Sequence, residues 1–444
     1  MKRFFTVLVL VVLAVSCKKD NISQDAFSLF DEKSLPTLSL SFSEQEWSRL
    51  LSLYDADSRT KEYVHCDVTL ESKERNITVR NAGLRLRGQT SRRRPETTKG
   101  RLQHFHSGIH LRKFEPSNPE IDGFRRFNLK YAKEDPTYIR EHYCYDLLSR
   151  YGVWTAPSSS WCKLYISNGK SRRYSGVHLM VESIDKQYVK RRPAFGSADG
   201  FLWKCAGGAN LRDVNDSRFH IDENKPDTYS YELKDDDPAA FETAKAQLKD
   251  FITNFNTLQG DIFLNWVRQA VDVELLLRTY AVNVAVGHWD DYWNNMNNFY
   301  IYFNSRDAKK YRMYMICFDY DNTLGTSHYC GVQNDSGRHD PYNWGLKECT
   351  LISKLLSFSE YRDMYTRFLR ELGADGNQWF GYDASVARIR QWQSLLEPYL
   401  PNDTGEDQSL ADRPASWGNH SEYRVLEDGN NNWFRVKSTV LNSL

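Results

Sequence analysis

The chain has almost no excess of charge: 59 Lys and Arg face 58 Asp and Glu over 444 residues. That balance removes any global electrostatic case for a nucleic-acid partner. After Val15 it has no run apolar enough to cross a bilayer. It has no internal repeat, and cysteine is sparse at eight residues. With Cys17 set aside, Cys66, Cys144, Cys162, Cys205, Cys317, Cys330 and Cys349 show no CxxC and no metal-ligand spacing, which argues against a zinc site. The odd remainder leaves at least one thiol free. Cys162 and Cys317 sit in apolar strand-like runs as small core residues, whereas Cys330 and Cys349 flank a loop and could pair. Aromatics are in surplus, 14% of the chain with 26 Tyr and 12 Trp. They suffice for a core and leave a remainder suited to stacking on sugars or bases.

The amino terminus carries the plainest signal. Met1-Lys2-Arg3 precede an apolar run from Phe4 to Val15, then Ser16-Cys17. The run is shorter than the roughly 20 residues of a comfortable membrane span. An ordinary secretory signal or an amino-terminal anchor would share it. The cysteine at its end, followed at once by polar Lys18–Gln24, favours a lipoprotein signal with Cys17 lipidated. The expected organisation is a signal peptide at 1–17, a tether at 18–35, a main domain at 36–400 and an extension at 401–444, held outside the cytoplasm in the cell envelope.

Within the main domain, LSLSF at Leu38–Phe42 alternates as a strand, and Ser43 with Glu46 forms a capping box for a helix. Tyr63–Leu70, Ile77–Leu86, Ser107–Phe114 and Phe127–Tyr131 read as further strands. Pro136 opens a helix that stops before Gly152, and Trp161–Ile166 and Tyr174–Ser183 form a hairpin about Asn168-Gly169. Helical periodicity then covers Phe241–Leu258, Ile262–Val286 and Glu348–Leu372, with a β pair, Asn297–Phe303 and Tyr314–Asp321, between the last two. Asn402–Asn419 reads as a long loop, and Val436–Leu444 as a tail without a signal. The expected class is α+β, β-rich first and mainly helical after.

Three clusters could carry chemistry. In His288–Tyr302 an apolar helix ends at Gly287, and Asp290, Asp291 and four asparagines precede a strand. Acids and amides in such a loop can hold a general base beside a metal ligand, although a solvated polar turn would look the same. Asp319 and Asp321 close an apolar strand and share a face if it continues. Carboxylates there are costly unless they meet a cation, and Mg²⁺ would supply one; a turn with a capping aspartate is the alternative. The third cluster is basic. Arg85 and Arg87 flank a Gly88-Gln89-Thr90-Ser91 turn whose amides and hydroxyls suit phosphate oxygens, whereas Arg92–Arg94 reads as a solvated run. Lys130 alternates with apolar positions in FNLKY, and Glu182 is its candidate ion-pair partner.

In their shared order these pieces resemble the CotH kinase family, named for spore coat protein H. The similarity runs through Arg85-Leu86-Arg87-Gly88-Gln89-Thr90-Ser91, the basic strand His110–Phe114 and Phe127-Asn128-Leu129-Lys130. It continues through Asp135 with Ile139-Arg140, Gly176-Val177-His178 to Glu182 and Asp185, Asp290 with Asn297-Asn298, and Phe318–Gly325. The resemblance implies an atypical protein-kinase-like fold that binds ATP and Mg²⁺ and phosphorylates Ser or Thr of a protein. By that analogy Asp290 is the catalytic acid position, Asp319 the metal-binding aspartate, Lys130 the phosphate-contacting lysine and Glu182 the glutamate of the hairpin motif. Asp321 and Asn297 or Asn298 are further metal candidates, and Arg87 and Lys113 further nucleotide contacts. Four positions depart from the family pattern: Arg112-Lys113 for a Lys-x-Lys strand, His178 for Tyr, Phe318 for Trp, and a longer loop between Asp290 and Asn298. The competing expectation is a surface lipoprotein that binds proteins or glycans without turnover. A hydrolase using the paired acids is a third, and it leaves the lysines and the Gly-Gln-Thr-Ser turn without work.

Overall fold

The computed structural model describes residues 28–132, 135–221, 230–235, 237–326, 337–413 and 423–444. Cys17, Cys330 and most of the expected tether lie outside them.

The first half is built from seven strands: β1 (Thr37–Ser41), β2 (Val64–Glu71), β3 (Asn76–Leu86), β4 (Ser107–His110), β5 (Arg126–Lys130), β6 (Ser159–Ser167) and β7 (Arg172–Glu182). They close into a barrel in the order β1-β2-β3-β4-β5-β7-β6. β1 closes it by pairing antiparallel with β2 and parallel with β6. The period-two pattern decides what fills it: Val64, Cys66, Val68 and Leu70 of β2 are buried, as are Phe127 and Leu129 of β5. Arg126, Asn128 and Lys130 alternate with the latter and face outward. Helix α1 (Glu44–Ala56) follows β1, and the Ser43 side chain accepts from Glu46 N at 3.1 Å. The return arm of the expected box is absent, because the Glu46 carboxylate accepts from His65 N at 2.8 Å instead.

Helix α2 (Arg140–Arg150) starts four residues later than Pro136 suggests. Buried Asp135 sets that start, accepting from Thr137 N and Arg140 N at 3.1 Å each and pairing with the fully buried Arg140 guanidinium. After short α3 (Lys186–Lys190) comes a sheet that sequence periodicity only half reveals. Its strands β8 (Phe201–Cys205), β9 (Phe219–His220), β10 (Tyr231–Leu233), β11 (Phe299–Phe303) and β12 (Met313–Cys317) lie in the order β12-β11-β8-β10-β9.

The remaining helices are α4 (Phe241–Thr257), α5 (Gly260–Ala270), α6 (Val273–Val286), α7 (Tyr292–Asn295), α8 (Thr350–Leu355), α9 (Ser359–Gly373), α10 (Tyr382–Leu396) and α11 (Trp433–Asn442). The expected single helix at 262–286 is broken because Val271 bridges to Met313 and Asp272 caps α6 through Leu275 N. α6 is buried on nearly every side and ends at Gly287 in the left-handed region. The terminal stretch expected as a tail is α11, whose Trp433 indole donates to Ala285 O at 3.0 Å. The aromatic surplus is spent inside: among the described residues the large hydrophobic side chains left exposed are Ile262 and Tyr399. No helix among them is long and apolar enough to cross a membrane. The architecture is α+β, with a β-rich first half and a helical second half.

Candidate functional site

A cleft of about 280 Å³ opens between the outward faces of β3, β5 and β7, the sheet strands β8, β10 and β11, and the two acidic loops. Lys130 stands at its centre. Its Nζ meets Glu141 Oε2 of α2 at 2.5 Å, pairs with Asp319, and lies 3.7 Å from Asp321 Oδ2. Burial alone would lower the Lys130 ammonium's pKa; the three carboxylates reverse that and raise it. Burial would raise Asp319, but Lys130 holds it below its ordinary value. Asp321 gains too little from the same ammonium. Burial, with Asp319, Glu141 and Asp290 nearby, pushes it well above the carboxylate range despite Lys130.

The turn after β12 brings these acids together, not a continued strand. β12 ends at Cys317, and Asp319 takes a left-handed conformation with φ 66°. Asp319 N donates to Tyr145 OH at 3.0 Å, and that hydroxyl donates to Glu141 Oε1 at 2.9 Å. Tyr320 OH donates to Asn283 Oδ1 of α6 at 2.7 Å, and Leu324 N donates to Val286 O at 2.7 Å, so α6 carries the loop.

Asp290 occupies the same cleft. Amide groups surround its carboxylate: Asn295 at 2.5 Å, Asn298 at 2.9 Å, Asn322 at 3.4 Å and Asn297 at 3.5 Å. Burial pushes its pKa up to about 6 against those hydrogen bonds. The neighbouring acid has another job. Asp291 caps α7 through Asn294 N at 2.9 Å, accepts from Asn283 at 3.0 Å, and is pushed by burial up to about 7. Asn298 is strained, with φ 56°, and its Nδ2 donates to both Asp290 O and Asp290 Oδ2, which leaves its side-chain Oδ1 for another partner, while its backbone carbonyl accepts from Phe318 N.

Cations line the cleft as well, among them Arg85, Arg87, Arg126 and Lys204. Gly88, at φ 99°, begins the turn beside Arg87; a Cβ there would come within 2.5 Å of Ser91 Oγ. Lys204 lies directly across the sheet from both Tyr300 and Glu232, and burial lowers its pKa to about 8.

Three expectations are corrected. Glu182 lines the cleft but is not the partner of Lys130: Arg191 at 2.6 Å and Arg192 at 2.7 Å, both just after α3, hold it. β5 and β7 pair Phe127 with Glu182 and Lys130 with Leu179, so the two charges fall at different rungs. Lys113 is outside the cleft, because β4 ends at His110 and the chain turns. Its ammonium lies 4.9 Å from the Tyr63 ring centre, and Arg112 is bound to Glu120 at 2.9 Å. Arg92–Arg94 is not a solvated run: Arg92 donates to Thr60 O at 2.9 Å, Arg93 pairs with Glu406 and Arg94 with Asp55, both at 2.8 Å. Cys349 is buried with its thiol 3.2 Å from Tyr292 O, and its candidate partner Cys330 lies outside the described residues.

Because Glu182 is almost fully buried, its two ion pairs set a pH dependence. Burial would raise its pKa, yet the two guanidiniums bring it below the ordinary 4.5. A depressed carboxylate adds stability above the unfolded-state value and loses it as pH falls through the folded-state value. Glu182→Gln is therefore expected to cost about 2–3 kcal/mol near pH 7. In urea titrations across pH, that gap should close below pH 4.5.

Glu141, Asn295, Asn322 and Lys204 are site residues that the sequence reading did not single out. One signal was available: His288-x-Asp290 followed by Asn295 has the H-x-D-x-x-x-x-N spacing of protein-kinase catalytic loops.

The fold and cleft define an α+β protein with a composite site, in which one half-buried lysine is shared by carboxylates and further cations stand beside them. The chain belongs to the CotH kinase protein family, whose model matches residues 84–431. It is also similar to two proteins of Rhizopus delemar, Invasin CotH2 and Invasin CotH3. Each is 23% identical over 45% of this chain, and the chain spans about a third (32%) of the length of these curated relatives.

Proposed function

We propose that this chain is an atypical kinase that binds ATP with Mg²⁺ and transfers the γ-phosphoryl group to a Ser or Thr hydroxyl of a protein. The observation that carries this reading is the sharing of the Lys130 ammonium by Glu141, Asp319 and Asp321 in the cleft that also holds Asp290. Three carboxylates on one ammonium leave negative charge uncompensated, and the raised Asp321 reports it. A divalent cation fits that donor set: Asp319, Asp321 and the Asn298 side-chain Oδ1 would hold it. Bound Mg²⁺ would supply neutralisation of phosphate charge. Lys130, Arg87 and Lys204 would face phosphate oxygens, with Glu141 fixing Lys130 as the glutamate does in protein kinases. Asp290 would orient the attacking hydroxyl and take its proton, and its raised pKa suits a base working near neutrality.

The direct test is incorporation of label from γ-labelled ATP and Mg²⁺ into envelope proteins, with the Asp319→Asn variant beside the wild type. Incorporation lost in the variant supports the reading; none in the wild type overturns it. The name of the Rhizopus relatives, invasin, favours a second reading, a surface protein that binds partners on this scaffold without turnover.

We also place the chain on a lipid anchor at Cys17, outside the cytoplasm. ATP is scarce there, so phosphorylation would act on partners during export or in an envelope compartment. Cys17→Ser is expected to move the protein from the membrane to the soluble fraction, as scored by fractionation; unchanged membrane association would refute the anchor.

A further inference from the structure

We propose that His104, Glu406 and Asp407 bind a divalent transition-metal ion, zinc by ligand type, that ties the loop after α10 to the barrel. One ligand atom from each lies within 4.8 Å of the others, although His104 is some 300 residues away in the chain. None of the three lines the cleft that holds Lys130 and Asp290.

Each member fits the role. The His104 ring is 3% exposed, and imidazole is the commonest side-chain metal ligand. Its Nδ1 has no hydrogen-bond partner among the described residues, and its Nε2 faces Thr404 Oγ1 at 3.2 Å and Glu406 O at 3.4 Å. Asp407 Oδ2 lies 4.0 Å from His104 Nε2, too far for a hydrogen bond. Zinc bonds of about 2.0–2.2 Å on each side would span that gap. Arg93 grips the Glu406 carboxylate with two nitrogens, at 2.8 and 3.2 Å, which orients it while each oxygen keeps a lone pair.

A second, independent observation comes from His178. It is fully buried and stands edge-on to His104, with ring centroids 5.6 Å apart. Its Nδ1 faces Gly176 O at 3.4 Å, and its Nε2 has no hydrogen-bond partner among the described residues. Two buried imidazoles, each with one unpartnered nitrogen among the described residues, stand against one another beside the Glu406 and Asp407 carboxylates, a donor set that a cation would complete. Imidazole with carboxylate suits zinc better than Mg²⁺ or Ca²⁺, which take oxygen ligands. This set contains no thiolate, so the spacing of the cysteines has no bearing on it.

The test uses the full chain, stripped with chelator and titrated with Zn²⁺ alone, read by native mass spectrometry and by competition with a chromophoric chelator. One zinc per chain is expected. Its dissociation constant should rise about tenfold or more in His104→Gln and in Asp407→Asn. Asp319→Asn, which alters the cleft, should bind zinc as the wild type does. No zinc on the wild type, wild-type affinity in Asp407→Asn, or loss of zinc in Asp319→Asn alone would overturn the site. Asp407 is 41% exposed, so Asp407→Asn decides the matter even if His104→Gln fails to fold.

Discussion

Lys130→Met should lower the unfolding free energy by about 3–5 kcal/mol, the cost of breaking a buried ion pair from one side. The effect is large because the lysine is not one half of a pair. Glu141, whose side chain is 8% exposed, would lose its only salt-bridge partner among the described residues, and Asp319 and Asp321 would then face it without the ammonium between them. Adding Glu141→Gln should recover part of the loss, since it removes the most deeply buried of the stranded charges. Urea unfolding of the wild type, the single variant and the double variant measures both. A loss below about 1 kcal/mol, the size of an exposed pair, would mean that Lys130 is not the charge centre of the cleft. Phosphoryl transfer should vanish with it, because Lys130 is the ammonium that joins Glu141 of α2 to the acids of the loop after β12.

Asp290→Asn should behave in the opposite way, keeping stability and losing transfer. A positioned general base contributes roughly 10²–10⁴ in rate, and that range is the expected fall in kcat. The fold should survive because the substitution removes a charge held in a half-buried site, and the amides of Asn295 and Asn322, which now donate to that carboxylate, can turn their oxygens to accept from the new NH2. The wild-type rate should also fall with acid: the base acts as carboxylate, so activity is lost as pH drops through a value near 6. A cation in the cleft would move that point lower. Steady-state kinetics across pH checks both. Full activity in Asp290→Asn would remove the residue from the mechanism.

Much of the barrel was legible because alternation is local. VHCDVTL reads as a strand with one buried face, and FNLKY places Lys130 outward by the same count. The second sheet was harder to see. β9 and β10 have two and three residues, too short to show a period, and β8 is buried at four of its five positions. Helix boundaries failed where tertiary contacts decide them: Val271 leaves the helix to meet Met313, and Asp135 rather than Pro136 sets the start of α2. The acids of the site were recognisable as residue types in loops, but their partners were not. Lys130 and Asp319 are 189 positions apart, and no spacing rule joins them. Glu182 was the plausible partner by analogy, and two arginines just after α3 claim it. Glu141 carries no sequence signal, because a glutamate in the first turn of a helix is ordinary, and only the fold brings it to Lys130.

The most direct measurement of the central claim is thermal unfolding of the chain from Lys18 onward, with and without Mg²⁺ and ATP, for the wild type and for Asp319→Asn. A ligand that binds the folded state stabilises it by mass action, about 2.7 kcal/mol at a hundred times its Kd. The account predicts an upward shift that needs Mg²⁺ and ATP together and that disappears in Asp319→Asn. No shift in the wild type at millimolar ATP, or an equal shift in both proteins, would contradict it.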